Sequence, residues 1–170
     1  MFKVHQPGQG GDIEVIWPNV MGCLGVKQTG QALGLATSPT YVRGLATQAQ
    51  STVEYMPQPS AQAIASALAG PKLNSCASEA LSADAAREHE GAQKGEVEVS
   101  ALDFPQMGEA TSATRVKVTL NLPERRVPIF QDLIVVTKGE SVTRVVFLNP
   151  LEPFPEDLQR SLVEKVVSRA

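Results

Sequence analysis

Side chains able to do acid–base, nucleophilic or metal chemistry are few in this 170-residue chain, and they stand far apart. Only two histidines are present. His5 lies in the opening residues, and His89 lies in Arg87-Glu88-His89-Glu90, a charged helix end that a solvated last turn explains. Cys76 and His89 fall on similar faces of one helical stretch, yet at 1.5 Å rise per residue they are about 20 Å apart, too far for a thiol and its base. Glu96 and Glu98 share one face of a strand, while Glu152, Glu156 and Asp157 open a helix. Both groups read as solvated surface. A carboxylate hydrolase would need two of these acids to converge in a cleft. Gly8-Gln9-Gly10-Gly11 follows no strand, and no Lys-Ser/Thr comes after it, so a phosphate loop is not indicated. No catalytic residue, metal or cofactor is expected.

Two cysteines bear on structure and compartment. Cys23 and Cys76 show no CxxC or Cys/His spacing that would hold a metal, and each falls in a helix-like segment. An exported protein would join them as one disulfide. In a reducing compartment they would be buried thiols acting as small apolar residues.

The remaining candidates concern binding. Trp17, Tyr41, Tyr55, Met56, Phe104 and Met107 sit near element ends, where they would line a ligand pocket or interface, or else complete the core at the ends of a sheet. Arg115, Lys117, Arg125 and Arg126 would form a small basic patch near a sheet edge, meeting a carboxylate or anionic lipid or serving only solubility and edge protection. A net charge of −3 supplies no basic field for nucleic acid. Charged residues, at 19%, fall below the usual ~25%. No apolar run approaches the ~20 residues needed to span a membrane.

The elements that must position these residues are clearest in the last third. Arg115–Leu122 places Val116, Val118, Leu120 and Leu122 on one face, opposite Arg115, Lys117, Thr119 and Asn121. Segments 127–138 and 142–149 flank Lys138-Gly139-Glu140-Ser141 as a hairpin and are apolar on both faces, as central strands covered on both sides would be. From Pro155 to Ala170 an apolar stripe of Leu158, Leu162, Val163, Val166 and Val167 predicts a closing helix. Glu156 and Asp157 begin it and Lys165 and Arg169 end it, in keeping with the dipole.

Earlier segments predict helices over 17–26, 60–69 and 73–90, and strands over 48–56 and 96–102. In the first strand, Ala49, Ser51, Val53 and Tyr55 are expected on the buried face, with Gln48, Gln50, Thr52 and Glu54 in solvent. Residues 27–44 read as loop with one weak strand. The whole is an α+β fold with a largely antiparallel sheet: a flexible tether over 1–11, then one domain over 12–170.

Several motifs carry a family resemblance. They are Ser100-Ala101-Leu102-Asp103-Phe104-Pro105-Gln106-Met107-Gly108-Glu109, the run Val127–Val136, and Val145-Val146-Phe147-Leu148-Asn149 followed by Pro153-Phe154-Pro155-Glu156-Asp157-Leu158. Together with the segments around Cys23 and Cys76, the latter preceded by Gly70-Pro71-Lys72, they resemble exported actinobacterial domains and lipoproteins of the LpqN type. The resemblance covers most of the chain and is weakest over 27–44. It implies a PsbP-like α/β/α sandwich, an envelope location, a leader or lipobox cysteine ahead of residue 1, and a binding or accessory role. It brings no catalytic residues. The expectation is a non-catalytic, exported envelope module that recognises a protein partner or a hydrophobic, lipid-like ligand. The alternatives are an envelope hydrolase with paired carboxylates and a cytoplasmic interaction domain with reduced cysteines.

Overall fold

A computed structural model describes residues 3–5, 13–26, 32–43, 47–88, 93–121 and 125–170. In chain order the elements are β1 (Lys3–His5), α1 (Ile13–Cys23), β2 (Gly34–Thr37), β3 (Thr40–Arg43), β4 (Thr47–Tyr55), α2 (Gln58–Leu68), α3 (Leu73–Glu88), β5 (Gln93–Ala101), β6 (Ala110–Asn121), β7 (Arg126–Lys138), β8 (Ser141–Pro150) and α4 (Glu156–Val167). The strands form one antiparallel sheet in the order β1-β3-β4-β8-β7-β6-β5, with β2 also paired to β4. This is an α+β fold with helices on both faces of the sheet.

Local chemistry sets the boundaries. Lys138 pairs with Ser141, leaving Gly139 and Glu140 as a two-residue turn whose first position needs the positive φ of 58° that glycine adopts freely. α2 starts behind Pro57, which cannot continue a helix backward but fits its entry, and it stops before Gly70-Pro71. β2 and β3 share one track along β4, broken at Ser38-Pro39. There the Ser38 amide donates to the Ser51 carbonyl, and the Ser51 amide donates to the Ser38 hydroxyl at 2.9 Å. The loop before β6 runs so close to β7 that a Cβ on Gly108 would fall 2.3 Å from the Thr137 carbonyl oxygen.

Two apolar layers follow from strand alternation. On the first face, α1, α2 and α3 bury Trp17, Val20, Ile64, Leu68 and Cys76 against Val116, Val135 and Val142. On the second, α4 packs Val163 and Val167 onto Ile134, Val136, Val145 and Phe147. Phe147 meets Phe154 with ring centroids 4.7 Å apart. A disulfide joins Cys23 at the end of α1 to Cys76 in α3, with Cα atoms 5.5 Å apart. As the patterning predicts, β7 and β8 are central, and every residue from Ser141 to Phe147 is buried. Among the described residues no helix is long and apolar enough to cross a membrane.

Three local expectations change. Within the segment read as a tether, Lys3–His5 pairs with β3, which sets His5 opposite Thr40. Residues 27–44, read as loop with one weak strand, hold both β2 and β3, because pairing to β4 supplies the order their Gly- and Thr-rich sequence lacks. Both faces of β4 are covered: Ala49 is buried on the face expected inward, but the opposite face is not left to solvent. Thr52, assigned to solvent, is 3% exposed beneath the first helical layer, whereas Tyr55, assigned inward, is 41% exposed. The reason is Arg144 on the neighbouring strand β8. Buried on that same face, it draws Glu54 into a salt bridge at 3.4 Å and lies 5.1 Å from the Trp17 ring centroid. On β4 it is Glu54 that answers this buried cation, while the Thr52 hydroxyl meets that of Thr37 on β2 at 3.5 Å. The position of His89, the Gly8–Gly11 run and the turn at Pro123-Glu124 lie outside the described residues.

Candidate functional site

The site begins with the width of the apolar stripe on α4. Val163 is 0% exposed and Val167 6%, so these two point into the sheet, while Leu162 and Val166 on the flank stay half-buried. A polar anchor holds the helix over β7 and β8. The Gln159 side chain donates to Asp132 of β7, which also accepts two hydrogen bonds from Arg115 of β6, at 2.7 and 2.8 Å. Asp132 is 1% exposed, and such a buried carboxylate is tolerable only because three donors surround it. The hydrogen bond to Asp132 holds the Arg115 guanidinium above its ordinary pKa against the opposing effect of burial, and the field of Glu156 adds to the rise.

With α4 fixed there, the second face of β4 and its edge strands lies beside the helix flank as a groove. Its narrow part, about 170 Å³, has Ala49, Val145 and Phe147 in its floor, Leu162 and Val166 on the helix side, and Tyr41 with Ser38 and Ser51 opposite. It shares Ser38, Tyr41, Ser51, Leu162 and Val166 with a wider stretch of about 400 Å³. That stretch adds Ala36, Val53 and Tyr55 from the strands and Lys165, Arg169 and Ala170 from the end of the chain. The floor is almost wholly apolar, with hydroxyls and two cations at the rim.

The structure divides the residues singled out from sequence. Tyr41 and Tyr55, both 41% exposed, line the groove. Trp17 and Met56 are buried in the first layer, and Phe104 and Met107 pack into the second-face core that also holds α4 residues. The four cations do not gather. Arg115 is held by Asp132, Lys117 bonds Glu98 at 2.7 Å across β5 and β6, and Arg126 donates to Asn121. Arg125 is exposed just before β7. None of the acidic residues considered for hydrolysis lines the groove. Among the described residues, no group of three His, Cys, Asp or Glu side chains is arranged to hold a metal ion. By pattern alone Leu162 and Val166 belong to the core stripe, and Lys165 and Arg169 to the helix dipole. The signal for a groove was there, since five apolar positions make a stripe wider than one sheet contact requires.

A scan against protein-family models gives no match, and a search of curated proteins gives none. Among solved structures, the chain is similar to a Pseudomonas aeruginosa protein described as of unknown function, at 13% identity and a TM-score of 0.31 over 85% of each chain. That likeness is too loose to establish a shared fold.

Proposed function

We propose that this chain is a non-catalytic binding module of an exported envelope protein and that it holds a hydrophobic, lipid-like ligand in the groove beside α4. The observation that carries this reading is the groove itself: a concave strip between two exposed tyrosines and the flank of α4, running over the buried Ala49, Val145 and Phe147. Concave apolar sites with a few rim polar groups are what small-molecule recognition requires. Export is supported by the Cys23–Cys76 disulfide, because such bonds persist in oxidising compartments. The resemblance to LpqN-type lipoproteins points the same way. The paired-carboxylate hydrolase gains no support, since Glu98 is engaged with Lys117 and Glu156 and Asp157 open α4 away from the groove.

The test is native mass spectrometry of protein secreted into an oxidising compartment, followed by the same measurement after denaturation. Extra native mass that is lost on denaturation, and absent from a Val166→Trp variant that fills the groove, is the expected result. Ligand-free protein that also fails to take up a C10 alcohol would overturn the reading.

A further inference from the structure

The groove has a polarity along its length. Leu162, Lys165 and Val166 share one flank of α4, and Arg169 follows in the turn just past its end, lining the same groove. The narrow part meets only the two apolar members, whereas the wider part meets both cations. No acidic side chain lines either part, and Glu164, the nearest acid in sequence, is exposed outside the groove. The narrow part, about 170 Å³, is close to the ~150 Å³ of an apolar cavity that admits a single benzene ring. It runs into the wider stretch, so a hydrocarbon chain seated in it brings one end beside the cations. Lys165 and Arg169 also complement the helix C-terminus, but that role does not require them to border an apolar groove.

Building on the binding reading above, we infer that the ligand is an amphiphile with an anionic head. Its chain lies over Ala49 and Phe147 between β4 and α4, and its carboxylate or phosphate head lies beside Lys165 and Arg169. Both cations are exposed, so the head contributes selectivity more than affinity.

Decanoate, decanol and decyltrimethylammonium, each below its micellar concentration, would be titrated into the protein while the amide resonances of Tyr41, Val53, Leu162 and Val166 are followed by NMR. Decanoate is expected to bind about fivefold tighter than decanol at low salt, and the cationic probe weaker than either. The preference should vanish in a Lys165→Gln/Arg169→Gln variant and shrink toward one in about 0.5 M NaCl. These exposed substitutions leave the core intact, so loss of folding does not confuse the result. Equal binding of all three probes would overturn the anionic head while leaving the groove as a hydrophobic site. If no probe moves these amides, the groove reading fails, and the head-group assignment fails with it.

Discussion

Reduction of the Cys23–Cys76 bond should lower stability by an amount that follows from its place in the chain. The bridge spans 53 residues of sequence, and closing a loop of that length removes about 14 cal/mol/K of entropy from the unfolded chain, or about 4 kcal/mol at 25 °C. A chain of this size has a urea m-value of about 2 kcal/mol/M, so the midpoint should fall by about 2 M when a reductant is added. The m-value should rise slightly as the unfolded state expands. Trp17 is the only tryptophan, and at 3% exposure on α1 its fluorescence should shift to the red as that helix leaves the sheet. Reductant is a cleaner perturbation than substitution, because Cys76 is 1% exposed and its replacement would also disturb packing. A midpoint shift below about 0.5 M would refute the argument, since it would mean that the bridge constrains the unfolded chain by no more than about 1 kcal/mol.

Three further outcomes can be measured by urea or thermal unfolding. Asp132→Ala should cost about 3 kcal/mol, because it leaves Arg115 and the buried Gln159 amide without their acceptor. Since the folded-state pKa of Arg115 is raised, its contribution is whole at every pH below the ordinary arginine value and fades only above it. The deficit of the Ala variant relative to the native protein should therefore show no step from arginine titration near neutrality. Gly108→Ala should cost about 2 kcal/mol, because its methyl group would meet the Thr137 carbonyl; an unchanged midpoint would place the loop farther from β7. Leu151 has φ of 75° and is 67% exposed, so Leu151→Gly relieves a left-handed backbone with little loss of burial. It should gain about 1 kcal/mol and raise Tm by about 2–4 °C, and a fall in Tm would contradict the strain.

The parts of this fold governed by local periodicity can be read along the chain alone. The alternation of Val116 and Val118 against Arg115 and Lys117, the doubly apolar runs that became β7 and β8, and the stripe on α4 were all legible, because each depends on side chains a few positions apart. So was the α+β class. The edge strands were not. β2 and β3 owe their order to β4, a partner that comes later in the chain and whose register no local pattern encodes. The covering of Thr52 and Glu54, on the face of β4 expected in solvent, has the same origin. Arg144 stands on β8 about ninety residues beyond Glu54, and only sheet pairing brings it beside Glu54 and under Trp17. The groove, too, was decided in three dimensions. Sequence showed an over-wide stripe on α4, but the bond from Gln159 to Asp132 settles where the helix sits and hence which flank faces open sheet. Patterning reports which residues avoid water; which of them are left uncovered depends on how layers far apart in sequence are anchored to one another.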